Sequence, residues 1–277
     1  MSVTHAMWDM GHTSLRTLAV VAFVLLAGCS GFGPGGDAAS PTTSPAPTQT
    51  PATTETPGST TSSDAEPGEP SYPEGWSAAG VENATVALDT HYRAALTGPS
   101  TTVRYRSRQV DTGDGPANET TLDMAYETET GRLYASIRGR DDHREVFLQD
   151  GTFSQWSVRN ETLVGQSNAE FYRVAQSIDR RVLLSQLLLY ELEHERTVER
   201  NGTTAFVYDV TGVHDNTVSN TYGAGTNGSG TVVVAADGRI LELETTVTYT
   251  GGTLRYRYEH TRLGETAVET PGWVREG

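Results

Sequence analysis

The sequence contains no lysine. All 20 basic residues are arginine, set against 35 aspartates and glutamates, and the formal net charge is -15 over 277 residues. Phosphate affinity rests on clustered cations that release counterions, so this balance argues against a nucleic-acid partner. Cysteine is nearly missing as well. Cys29 stands alone, which excludes a disulfide framework within the chain. Long apolar runs are absent: the one uninterrupted stretch, Leu18 to Gly28, spans about 16 Å as a helix, short of the roughly 20 residues a membrane crossing needs. A multi-pass membrane protein is therefore excluded. Catalytic signatures are scarce too. No G-x-S-x-G elbow occurs, and His194-Glu195 lacks the second histidine of H-E-x-x-H.

What is present begins at the start of the chain. Arg16 precedes the apolar stretch and small residues close it, the pattern of a secretory signal peptide over residues 1–28. Leu26-Ala27-Gly28-Cys29 resembles the lipobox of prokaryotic lipoproteins, in which cleavage precedes the cysteine and its sulfur carries lipid. The resemblance implies a lipidated Cys29 and a place on the extracytoplasmic face of the cell membrane, since two acyl chains hold a protein durably. Residues 29–75 then change character, with nine of the 12 prolines among Thr, Ser, Gly and Ala. Such a stretch buries too little apolar surface to offset its ordering entropy, and reads as a disordered linker with room for O-glycosylation. Sequons at Asn83, Asn118, Asn160, Asn201 and Asn227 are candidate N-glycosylation sites in an exported chain.

Residues 76–277 suffice for one domain with a substantial core. This part carries 19 arginines against 28 acids, so the acidity is not confined to the linker. Acid-rich, lysine-free surfaces suit solubility in concentrated salt. Periodicity predicts a helix over 84–96, capped by Asn83 and ended by Gly98-Pro99. Strand-like runs follow at 101–110, 120–129, 132–139, 145–149, 152–158 and 162–166. A second helical region is expected over 169–195, with a segment, Val182 to Leu192, too apolar for one neighbour to cover. Strands resume at 203–212, 231–235, 239–250 and 253–263.

Gly251-Gly252 is read as the two-residue turn of the last hairpin, placing Thr250 opposite Thr253 and Thr248 opposite Arg255. Leu241, Leu243, Thr245, Val247 and Tyr249 then share one face with Leu254, Tyr256 and Tyr258. An antiparallel sheet with one covered face follows. The order helix, meander, apolar helix, meander predicts an α+β fold: a single curved antiparallel sheet, a half-barrel, wrapped around a Leu-rich helix, with an N-terminal helix. This architecture resembles the half-barrels of LolA/LppX-like lipoprotein carriers, whose concave face binds acyl chains. Lipobox, Thr/Pro-rich linker, Tyr72-Pro73-Glu74-Gly75-Trp76 and Pro271-Gly272-Trp273-Val274 together resemble uncharacterised haloarchaeal surface lipoproteins. That second resemblance implies envelope anchoring and supplies no site residues.

The remaining motifs read as structural. Gly223-Ala-Gly-Thr-Asn-Gly228 matches G-x-G-x-x-G, yet a strand-like run follows it where a helix is needed, so it is read as a flexible loop. Glu191 to Glu195 reads as a charged helix end, and Asp141-Asp142-His143 and His214-Asp215 as turns without metal-ligand spacing. Arg104, Arg106, Arg108, Arg255 and Arg257 read as a solvated face paired with acids. No metal or cofactor is implied. A serine hydrolase or a carboxylate-pair glycosidase stays open, because spatial pairing is invisible in sequence. The leading expectation is a non-catalytic, tethered module that binds a lipid or other apolar ligand, with Leu184, Leu187, Leu188, Tyr190, Leu254, Tyr256 and Tyr258 facing it. The alternative is a structural or protein-interaction module of the cell surface with no ligand cavity.

Overall fold

A computed structural model describes residues 70–110, 118–200, 202–214 and 222–275. Cys29, the linker up to residue 69 and Asn201 lie outside the described residues. A small hairpin, β1 (Trp76–Ser77) and β2 (Gly80–Val81), leads into α1 (Ala84–Thr97). A first meander follows: β3 (Thr101–Gln109), β4 (Glu119–Glu127), β5 (Arg132–Arg138), β6 (His143–Gln149), β7 (Thr152–Ser157) and β8 (Thr162–Asn168). Helix α2 (Phe171–Leu189) connects it to a second meander of β9 (Tyr190–Arg200), β10 (Thr203–Val213), β11 (Gly225–Ala235), β12 (Ile240–Tyr249) and β13 (Gly252–Thr261). A last turn of helix, α3 (Gly272–Arg275), lies near the C-terminus.

The two meanders form one antiparallel sheet of 11 strands in the order β8-β7-β6-β5-β4-β3-β13-β12-β11-β10-β9. The chain thus leaves the sheet at one edge, β8, and returns at the opposite edge, β9, with α2 as the whole connection. Geometry then dictates curvature. Ten strand spacings laid flat cover about 48 Å, whereas a helix of 19 residues is about 28 Å long. Two residues separate β8 from α2 and none separates α2 from β9. The sheet has to curl around the helix, and it does so without closing.

Helix α1 matches its expected span, with Asn83 Oδ1 accepting from the Thr85 and Val86 amides at 3.1 Å each. The second helix is shorter than expected. It ends at Leu189, and residues 190–200 form edge strand β9. From Tyr190 to Glu193 the burial alternates with period two, buried Tyr190 and Leu192 against exposed Glu191 and Glu193, which a strand satisfies and a helix does not. Glu191 to Glu195 therefore lies on a strand. The expected flexible loop at 223–228 is also revised, because Gly225 to Gly228 belong to β11. Its glycines admit close backbone approach: a Cβ on Gly228 would lie 2.9 Å from Val213 Cγ1 and 3.2 Å from the Gly212 carbonyl.

The last hairpin turns through Thr250-Gly251, one residue earlier than expected, so Thr248 faces Thr253 and Thr246 faces Arg255. Neighbouring backbone fixes this choice, with Thr250 N donating to Ala224 O and Gly251 N to Tyr222 O. The register moves by two, so the faces survive. Leu241 is the exception. A bulge between Val233 and Val234 puts Ile240 inward and leaves Leu241 outside, against Ala205, Val207 and Val233.

Packing already begins at Tyr72, whose ring meets His194 and Phe206 at 5.3 and 5.1 Å. The C-terminal segment is strapped to the other meander. Val268 N donates to Glu127 at 2.6 Å, and Trp273 stacks on Trp156 at 5.6 Å while its Nε1 donates to Glu145.

Candidate functional site

The concave face of the sheet receives both helices, and one contiguous core joins them. It contains Leu88, Tyr92 and Leu96 of α1, Val174, Leu183 and Leu187 of α2, and inward residues of the strands from β3 to β6 and β10 to β13. Sequence periodicity places these side chains inside. What it did not disclose is how polar the helix-to-sheet interface is.

Near the middle of α2, Asp179 is 1 % exposed. It accepts from the Tyr92 hydroxyl of α1 at 2.6 Å and from the Tyr258 hydroxyl of β13 at 3.4 Å. Burial pushes its carboxyl up to about 6, against the partial relief of those two hydrogen bonds. Beside it lie two buried histidines. His91 Nδ1 accepts from the Ile240 amide at 3.0 Å, and His260 Nε2 pairs with the Tyr126 hydroxyl at 3.0 Å. Burial holds both below the usual histidine range, His260 at about 3, and the Arg239 guanidinium adds to the effect. His260 Nδ1 has no partner among the described residues.

A second polar knot sits at the C-terminal end of α2. The Tyr190 hydroxyl donates to Gln186 Oε1 and pairs with Thr245 Oγ1 at 2.5 Å; nearby, the hydroxyls of Tyr249 and Tyr256 meet at 3.0 Å. Burial raises the phenols of Tyr190 and Tyr256 above their ordinary range, so all of these groups are neutral donors or acceptors at neutral pH. Together the knots form a lining of hydroxyls, one carboxylate and two neutral imidazoles under a helix.

The seven residues expected to face a ligand divide. Leu187, Tyr190, Leu254, Tyr256 and Tyr258 are buried in the core, and Leu184 is half-buried against it. Leu188 departs from the expectation: it lies on the outer flank of α2, 46 % exposed, because the helix is covered along one broad side only. Asp179, Gln186, His91, Tyr126 and His260 carry no expectation from the sequence, whereas Thr245 lies on the inward face expected for it. A signal existed for Asp179, which follows Ala175 and precedes Leu183 at four-residue spacing and so shares their inward face.

Of the sequons, Asn83, Asn160 and Asn227 are exposed, and Asn118 is half-buried with its Nδ2 donating to Tyr222. No three His, Cys, Asp or Glu side chains converge as a metal site among the described residues. His143 pairs with Ser136, and His194 is wedged among Tyr72, Phe206 and Tyr208. On the outer face Arg104, Arg106 and Arg257 pair with Asp123, Glu119 and Glu259 at 3.6, 2.9 and 2.7 Å. Arg108 and Arg255 face each other across β3 and β13, and Glu119, opposite Arg108 on β4, pairs with Arg106.

Comparison with known proteins adds the following. The protein-family model described as "Family of unknown function (DUF7537)" matches residues 14–277. No curated protein matches the chain. Among solved structures, the Mycobacterium tuberculosis lipoprotein LppX is 14 % identical, covering 67 % of this chain and 97 % of its own, with a TM-score of 0.33. LprF from Mycobacterium bovis is 10 % identical over 68 % and 96 %, at 0.32. A LolA superfamily protein from Nitrosomonas europaea is 8 % identical over 68 % and 94 %, at 0.25.

Proposed function

The chain belongs to DUF7537, a family of unknown function, and for it we propose a lipid-anchored extracytoplasmic lipoprotein that takes up a lipid or similar apolar molecule between α2 and the concave face. Cys29 would be the anchor and residues 30–71 the spacer. One observation carries the binding reading: the polarity of α2 is partly inverted. Asp179 and Gln186 point into the core at 1 % and 5 % exposure, while Tyr172 and Leu188 stand in water at 43 % and 46 %. A helix selected only to stabilise a core places its polar residues outside and its leucines inside. The arrangement here weakens the helix-to-sheet contact, since an ionised Asp179 is desolvated at neutral pH.

Helix α2 is joined directly to both sheet edges, so a movement that lifts it would carry β8 and β9 with it. Lifting it would uncover a wall that includes Leu254, Tyr256 and Tyr258, with Leu187 on the helix opposite. Leu184 and Leu188 would lie along the way in. No catalytic step is assigned. The test is native mass spectrometry of protein isolated from its own membranes. A bound lipid mass, lost on solvent extraction and regained from vesicles of the same lipids, is expected. Protein that carries none and takes none up overturns the reading. For the anchor, a Cys29→Ser variant that stays in the membrane fraction would overturn it.

The burial of the residues expected to face a ligand favours a second reading, a cell-surface interaction module without a ligand. Five of the seven candidate residues are already buried against one another and the helices. Under it, extraction yields no lipid and crosslinking in cells yields protein partners.

A further inference from the structure

The buried phenols of the core find partners: Tyr92 and Tyr258 on Asp179, Tyr126 on His260, Tyr190 on Gln186 and Thr245. Tyr208 does not. It points inward from β10, between His194 of β9 and Val232 of β11, and is fully buried. Its hydroxyl has no hydrogen-bond partner among the described residues. The indole Nε1 of Trp76, a residue 4 % exposed, lacks one as well. The two rings lie 5.1 Å apart at 35°, so the orphaned groups share one locality. A buried donor without an acceptor is desolvated with no compensating bond, and native interiors contain few of them.

This locality has a rim and a cover. Tyr72 and His194, both half-buried, form the rim: the Tyr72 hydroxyl meets His194 Nδ1 at 3.2 Å, and the His194 ring lies 5.7 Å from that of Tyr208. Hairpin β1–β2 carries Trp76 and forms the cover. It is seated on β9, where the His194 amide donates to the Ala78 carbonyl and Gly80 packs on Leu192. Chemistry selects the occupant. An indole N–H only donates. The Tyr208 phenol is pushed up by burial first and by Tyr72 second, with no cation acting on it, so it stays protonated. The group that satisfies both is an acceptor. A carboxylate would be desolvated here with no counter-charge, whereas a neutral carbonyl oxygen carries no such penalty.

We infer that Trp76 and Tyr208 hold a neutral carbonyl oxygen of the apolar molecule, the ester or amide of an acyl chain rather than a free fatty acid. The inference rests on the uptake reading and names the polar end of its ligand.

The test is titration of the detergent-purified full chain at pH 8 with methyl palmitate, palmitic acid and hexadecane. The ester should bind at least about tenfold tighter than the acid. Tyr208→Phe should weaken the ester roughly five- to tenfold and leave hexadecane unchanged. The indole N–H proton resonance of Trp76, assigned with Trp76→Phe, should move downfield with the ester and not with hexadecane. Because the hydroxyl makes no bond in the ligand-free protein, Tyr208→Phe should not lower the thermal melt. A parent chain that takes up none of the three removes the uptake reading, and this site with it. A parent that binds all three alike, or an ester affinity that Tyr208→Phe leaves intact, overturns the carbonyl site alone. A lowered melt beside that intact affinity would mark the hydroxyl's partner as a structural water.

Discussion

Helices α1 and α2 lie in the same concave face, and they differ in how their starts are held and in the polar groups they bury, Thr90 and His91 on α1 against Asp179 and Gln186 on α2. α1 is held at its start by Asn83 and by a tight lead-in, with the Glu82 and Asn83 amides both donating to the Gly75 carbonyl. Its inward side chains are mostly apolar or aromatic. α2 has no side-chain cap at Glu170, buries Asp179 and Gln186, and leaves Leu188 in water. On the proposed reading α1 would be the fixed floor of the core, and α2 a cover whose underside retains polar groups that a lifted helix could expose.

The comparison breaks most readily at Leu88, which is fully buried on α1. Leu88→Ala removes apolar contact and leaves a cavity, so it should lower stability by about 2–5 kcal/mol, read as a shift in denaturant midpoint at constant slope. A loss under 1 kcal/mol would mean that α1 is no more anchored than its partner.

Asp179→Asn sharpens the comparison from the other side. The buried carboxyl titrates at about 6 instead of 3.8, so between those values the native state binds the extra proton and stability declines as pH rises. Above about pH 6 the accumulated cost is roughly 3 kcal/mol. An asparagine keeps the shape and one acceptor and removes the charge. The variant should therefore exceed the parent in stability at pH 7.5, with the gap closing towards pH 4. His91 and His260, depressed by burial, act oppositely: they cost stability as pH falls below 6.5. They are present in both proteins and cancel in the difference. Equal stabilities at pH 7.5 would remove the argument that α2 is weakly seated.

Much of this architecture was readable before any coordinates. Strand alternation, turn residues and the Asn83 cap located α1 and most of the sheet, because each is a local preference acting within a few residues. β9 differs from the expected helix for a physical reason: Leu187, Leu188 and Leu189 run apolar without interruption into it, and the local strand signal, the alternation of Tyr190-Glu191-Leu192-Glu193, is only four residues long. The polar lining was less legible still. Tyr92, Asp179 and Tyr258 come from three elements far apart in sequence, so their meeting depends on the curl of the sheet. The inward direction of Asp179 was readable; the hydroxyls awaiting it were not. Leu241 shows the converse, a correct strand pattern misassigned by one bulge residue.

The smallest expected effect is at Leu188, and it separates seating from uptake. Leu188 is half in water, so Leu188→Gln removes little buried area, and stability should stay within about 0.5 kcal/mol of the parent. If α2 is the cover over an apolar site, the same residue stands on its exposed flank, at the rim where a hydrocarbon chain would first meet the helix. Its replacement by an amide should then slow lipid uptake from vesicles while leaving the melt unchanged. A packed core that never opens predicts no kinetic difference at all. Stopped-flow uptake of a fluorescent fatty acid, compared with Leu88→Ala under conditions where both remain folded, distinguishes the two. Slowing by Leu188→Gln alone fits a moving α2, whereas indifference at this position leaves its exposed leucine as ordinary surface.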